Sequence, residues 1–127
     1  MTITYLEHLP QKAAHYKLLQ AAHPKWNIAH QDRVLTAFKQ SDYVIAAYYE
    51  QILVGTIRVF SDRVGFAIIA DLLVHPKYRR QGIATSMLKM CQQTYSGFYL
   101  YADPQTPRIG KLYTKNGWQK RTIFRYR

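Results

Sequence analysis

The sequence predicts a mixed α+β domain of layered helices and sheet, and three observations support this. Apolar residues recur at helical spacing in the first third of the chain. Runs of apolar, β-type residues fill the middle, and helical spacing returns after a glycine-bearing loop. At 127 residues, with 48% apolar and 14% aromatic content, the chain suits a single domain, residues 1–127, around one hydrophobic core.

After Pro10, the stretch Gln11 to Ala22 places Ala14, Leu18, Leu19 and Ala22 on one helical face. His30 to Gln40 repeats the pattern with Val34, Leu35 and Phe38, so two amphipathic helices are expected first. His23-Pro24-Lys25-Trp26-Asn27 interrupts them. Ser41-Asp42 ends the second before Tyr43 to Tyr49, a short apolar run suited to a strand. Glu50-Gln51 reads as a turn, Leu53 to Phe60 as the other arm of a hairpin, and Ser61-Asp62-Arg63 as the turn into Phe66 to Val74. That last run holds a single charge, Asp71, which implies a strand covered on both faces. After His75-Pro76 the period changes: Ile83, Met87, Met90, Cys91 and Thr94 share one helical face. Phe98 to Tyr101 is a further strand, and Pro107 to Asn116 a short helix with Ile109, Leu112 and Tyr113 inward. Asn116-Gly117 stops that helix, and Trp118 to Arg127 runs extended.

The net charge of +11 is unevenly placed. Residues 1–71 hold seven Lys/Arg against six Asp/Glu, whereas from Leu72 onward there are eleven against the single acid Asp103. The half with the glycine-bearing loop is therefore the half whose field attracts polyanions. The first residues lack a basic flank before an apolar run, and no stretch is long and apolar enough to span a bilayer, so a cytoplasmic location and no membrane partner are expected. One cysteine, Cys91, makes no internal disulfide, and its helical position suggests packing. The five histidines lack paired ligand spacing, so no metal is expected, and His75 reads as a turn residue.

Arg79-Arg80-Gln81-Gly82-Ile83-Ala84 follows an apolar strand and opens an amphipathic helix. Such a loop turns several backbone N–H groups and the positive end of the helix dipole toward one point, which is an anion site. Gly82 allows close backbone approach, Ala84 is small, and Arg79 and Arg80 add charge. The dinucleotide fingerprint and the P-loop are both excluded: there is no G-x-G-x-x-G, and no Gly-Lys-Ser/Thr follows the glycine.

Arg79, Gly82 and Ala84 match [Q/R]-x-x-G-x-[G/A], and Leu112-Tyr113-x-x-Asn116-Gly117-Trp118 matches a later "lYxxxGF" ending. In these motifs, over roughly residues 42–118, the chain resembles the GNAT superfamily of acetyl-CoA-dependent N-acetyltransferases, and looks like a small bacterial single-domain member. The resemblance implies a mostly antiparallel central sheet with a V-shaped splay between its two central strands, and helices on both faces. It also implies direct acetyl transfer in a ternary complex to a primary amine, often within a homodimer. Acetyl-CoA would be held by backbone groups of Leu72, Leu73 and Val74 and by Arg79, Arg80, Gln81, Gly82, Ile83, Ala84 and Thr85. Tyr113 matches the tyrosine that protonates the departing thiolate.

Asp71 is open to three readings: a base acting through water, a counter-ion for the incoming ammonium, or a structural pair with a basic or backbone donor. Related polyamine acetyltransferases have a catalytic glutamate where Ala70 stands, so that base does not carry over. Trp26, Tyr49 and Tyr101, with Tyr48, are candidates to line an aromatic acceptor pocket for a small-molecule amine. Two rival functions remain. The basic residues Arg108, Lys111, Lys115, Lys120, Arg121, Arg125 and Arg127, interleaved with Tyr113, Trp118, Phe124 and Tyr126, suit a nucleic-acid or ribosome-associated module, although no recognised RNA or DNA fold signature occurs. The other rival is a sensor that binds acetyl-CoA without transfer.

Overall fold

The computed structural model describes residues 1–127. Five strands form one sheet in the order β1-β2-β3-β4-β5: β1 (Ile3–Leu6), β2 (Tyr43–Tyr49), β3 (Ile52–Ser61), β4 (Phe66–Val74) and β5 (Tyr99–Ala102). The pairings β1–β2, β2–β3 and β3–β4 are antiparallel and β4–β5 is parallel, because α3 (Ile83–Thr94) carries the chain back between those two strands. α1 (Lys12–Ala22) and α2 (Ile28–Lys39) precede β2, and α4 (Pro107–Lys115) follows β5.

The helices do not come first: β1 precedes them, pairing Ile3 to Leu6 with Tyr49 to Ala46. Its alternation spans only four residues at a sheet edge, too short to register as a periodic signal. α2 starts two residues earlier than its apolar pattern, at Ile28, because Asn27 Oδ1 caps it by accepting from His30 N at 2.8 Å. The last ten residues join no strand, so β5 is the final strand of the sheet.

Apolar side chains form two clusters rather than one, on opposite faces of the sheet. The larger packs α3 and α4 against Ile45, Ala47, Ile57, Val59, Ala67, Ile69, Leu72 and Val74. The smaller packs α1 and α2, through Leu18, Leu19, Val34, Leu35 and Phe38, against Ala46, Leu53 and Leu73. Adjacent residues of one strand, such as Ile45 and Ala46, join different clusters, as the period of two requires. Gly55 lets α3 approach β3: a Cβ there would lie 3.1 Å from Met87 Cε and 3.3 Å from Leu73 O.

Candidate active site

The site begins with a bulge in β4. Thr56 pairs with Leu73 and Arg58 with Ala70, so Asp71 and Leu72 together oppose Ile57. Asp71 takes up the extra residue in a left-handed conformation, φ +51°, which Asp tolerates better than most residues. The bulge reverses the alternation: Leu72 and Val74 share the α3–α4 face with Ala67 and Ile69, and Leu73 faces α1 and α2. β4 and β5 then part. Their pairing ends at Ile69 with Ala102, and Asp103 N donates to Ile69 O at 3.0 Å. Ala70 to Val74 therefore face a gap with no strand on the β5 side, which is the splay. Alternate backbone groups of Leu72, Leu73 and Val74 are turned into that gap.

Beyond β4, Pro76–Tyr78 forms a single 3₁₀ turn, capped by His75, whose Nδ1 accepts from Lys77 N at 3.1 Å. Arg80 (φ +64°) and Gly82 (φ +78°) both lie in the left-handed region and curl the chain into the N-terminus of α3. None of the backbone N–H groups from Arg79 through Thr85 has a hydrogen-bond partner within the protein. A continuous row of unsatisfied donors at the positive end of a twelve-residue helix is an anion cradle. A Cβ on Gly82 would meet nothing within 4 Å, so the glycine serves the backbone angle and leaves open the space a ligand would fill. The Arg79 side chain turns back onto the end of β4, its Nε donating to Val74 O at 3.2 Å.

Tyr113, on the inner face of α4, is buried in the same cluster as Leu72, Val74 and Ile83, with its ring 4.9 Å from that of Trp118. Trp118 N bonds Tyr113 O at 3.0 Å, and Gly117, at φ +88°, makes the expected helix stop. The Tyr113 hydroxyl is buried without a hydrogen-bond partner. Burial, followed by Cys91 and Asp103, raises its pKa well above the usual phenol value, so it is protonated at neutral pH.

Asp71 has a different environment. Its Oδ2 lies 2.5 Å from Arg58 Nε and its Oδ1 accepts from Gln105 Nε2 at 3.0 Å. Arg58 is fixed in turn by the Phe60 ring, 4.7 Å from its guanidinium carbon, and by Ser41 Oγ at 3.5 Å. Arg58 is thus a basic donor of the sort the structural-pair reading calls for. Neither partner was singled out from the sequence. The signal was present: a carboxylate in an apolar strand requires a cation, and hairpin pairing sets Arg58 beside it.

The aromatic residues do not converge as expected. Trp26 packs on the α1–α2 side, its ring stacked 3.8 Å from His23. Tyr49 packs on the opposite face, 5.8 Å from Tyr78. Tyr101 pairs with Ile68, one residue before the β4–β5 pairing ends, and its ring lies 5.5 Å from that of Phe66. No helix is long and apolar enough to cross a membrane.

A bulged, splayed strand that leads into a helix-capped anion cradle beside a buried tyrosine defines an acyl-transfer fold of the kind the Arg79–Ala84 motif implies. The chain belongs to the GNAT acetyltransferase family: residues 40–120 match the acetyltransferase (GNAT) domain. It is thus an N-acetyltransferase with acetyl-CoA as its donor. Among solved structures, a GNAT-family acetyltransferase from Streptococcus pneumoniae is 24% identical and superposes with a TM-score of 0.78, over 99% of each chain. An acetyltransferase from Deinococcus radiodurans gives 15% identity and a TM-score of 0.78, over 98% of this chain and 87% of that one. The aminoglycoside acetyltransferase AAC(6')-Iy, solved with a bisubstrate analogue, gives 16% and 0.73, over 100% and 99%. At such identities these likenesses speak for the fold. No curated protein matches the chain.

Proposed function

We propose that the protein transfers acetyl from acetyl-CoA directly to a primary amine of a small-molecule acceptor in a ternary complex. Backbone groups of Leu72–Val74 and the loop Arg79–Thr85 would hold the donor, and Tyr113 would act as the acid. When bound, acetyl-CoA supplies a thioester carbonyl for the amine to attack and a thiolate leaving group. The observation that carries the reading is the row of unpartnered N–H groups from Arg79 to Thr85, continuous with the open edge of β4. It fits a pyrophosphate at the helix and an amide-rich arm along the strand.

Tyr113 Oη is the one donor of the α3–α4 core left without a partner. A buried hydroxyl with no acceptor is costly, and the sulfur of a bound donor would supply one. Kept neutral by burial, it holds a proton for the leaving thiolate across the whole physiological range. Asp71 is assigned a positioning role: it clamps Arg58 and Gln105 to the bulge, which keeps the gap open and the loop before α4 in place. Direct transfer is also in keeping with the bisubstrate analogue held by the AAC(6')-Iy fold neighbour. The test is thiol release from acetyl-CoA across an amine panel, with coenzyme A binding measured by calorimetry. Tight binding without release on any amine would favour a sensor over an enzyme.

A further inference from the structure

Residues 104–127 hold seven Lys/Arg and no Asp or Glu. All seven cations are exposed, and none is neutralised, because the ion pairs of the molecule are Arg58–Asp71 and Arg63–Asp42. Three of them, Arg108, Lys111 and Lys115, share the outer face of α4, since the helix turns Ile109 and Tyr113 into the core. The other four follow directly in residues 118–127, which join no strand and lie outside the cradle at α3. There the cations are interleaved with apolar side chains that nothing covers: Ile123 is 73% exposed, Phe124 98% and Tyr126 95%. Residues two apart on an extended chain point the same way about 7 Å from each other, so Phe124 and Tyr126 can present two rings to one ligand. The Arg127 guanidinium carbon stands 5.6 Å from the Tyr126 ring, which sets a cation beside a free π-face.

We propose that the outer face of α4 and residues 118–127 form a docking surface for single-stranded nucleic acid, a binding function separate from acetyl transfer. The uncompensated charge selects a polyanion. The two open rings select one with flat faces to stack on, and unpaired bases offer those faces whereas a duplex covers them. Three of the four cations in residues 118–127 are arginines, whose planar fork meets a phosphate with two hydrogen bonds. An anionic bilayer fits less well. α4 places Ile109, Leu112 and Tyr113 against the core, so it offers a membrane cations but no apolar face to insert. A second copy of the chain fits less well still, because it brings the same positive charge to the contact and carries +11 in all.

The test is fluorescence anisotropy of a labelled oligouridylate titrated with the full chain across a salt series, with a duplex of equal length as competitor. Binding of the single strand roughly tenfold tighter than of the duplex is expected, weakening steeply with salt. Arg125→Gln combined with Arg127→Gln should lower the log–log salt slope by about 1.4, two phosphate contacts at about 0.7 each. Phe124→Ala and Tyr126→Ala should each weaken binding roughly fivefold or more with the slope unchanged. All four positions are exposed, so the melting temperature should stay that of the parent. No anisotropy change at low salt overturns the proposal, as does a duplex bound as tightly as the single strand. Ring variants that bind like the parent overturn it too, since charge alone would then account for the affinity. Tighter binding to phosphatidylserine–phosphatidylcholine vesicles than to the oligonucleotide would give the surface to a membrane, and a sedimenting dimer that Phe124→Ala and Tyr126→Ala dissociate would give it to a second copy. Each of these outcomes leaves acetyl transfer standing.

Discussion

The two faces of the sheet are built on different principles. The α3–α4 face buries a large apolar cluster whose one unpartnered polar group is the Tyr113 hydroxyl. The α1–α2 face has the smaller cluster and carries the buried polar residues His15, Gln31, Thr56 and Asp71. An apolar face makes a rigid wall on which a donor and its acid can be placed without competing hydrogen bonds. The polar face pairs its one buried charge, Asp71, and leaves His15 Nε2 and Thr56 Oγ1 without partners. The donor half should accordingly respond to substitution in kinetics, and the acceptor half first in stability.

The largest expected effect lies on the polar face. Arg58→Ala leaves the Asp71 carboxylate buried without its cation and should cost about 3–5 kcal/mol in urea denaturation. Asp71→Asn should be destabilised as well, while the shape of its pH–rate profile stays that of the parent. A stable Asp71→Asn whose pH profile has lost its acidic limb would instead make Asp71 a base. On the apolar face, Tyr113→Phe should lower kcat on the order of 100-fold, equivalent to about 2.7 kcal/mol, with the KM for acetyl-CoA within roughly twofold. Its melting temperature should hold or rise, since the lost hydroxyl has no partner. Unchanged kcat would end the acid assignment.

His15 gives the polar face a pH dependence. Its ring is buried edge-on against Phe38 at 4.5 Å with Nε2 unpartnered, and burial, opposed by Asp71, lowers its pKa from 6.5 to about 4. The unfolded chain thus takes up a proton below pH 6.5 that the folded chain refuses until about 4, so stability falls as pH falls through that window. The loss between pH 7 and 5 should be about 2 kcal/mol, and His15→Leu should flatten it. An unaltered slope in the variant would assign the dependence to other groups. The smallest effect is at the cradle. Gly82→Ala forces a side chain into a left-handed backbone at a cost of about 1–2 kcal/mol, and should raise the KM for acetyl-CoA roughly tenfold with kcat nearly intact.

The apolar face was largely legible in the sequence. Ile83, Met87 and Cys91 at helical spacing, and Ile109 with Tyr113, were placed inward by period alone, and all are buried. The cradle was legible too, because loop, glycine and helix start are contiguous. The polar face was not. His15 and Gln31 are hydrophilic letters on amphipathic helices, and nothing local shows that they point inward. The aromatic residues Trp26, Tyr49 and Tyr101 were grouped by type, and the sheet puts Trp26 and Tyr49 on opposite faces.

The sequence by itself thus determined the α+β class, the order of the elements after β1, the anion-binding loop and the family, since each rests on residues close together along the chain. Tertiary structure alone decided the Asp71 bulge and its closure by Arg58 and Gln105. These depend on strand register and on which loop ends meet, and a shift of one residue in β4 would have sent Asp71 to the other face, away from Arg58. The anion-cradle loop is written in one stretch of chain, and the Arg58–Asp71–Gln105 cluster exists only once distant segments have packed.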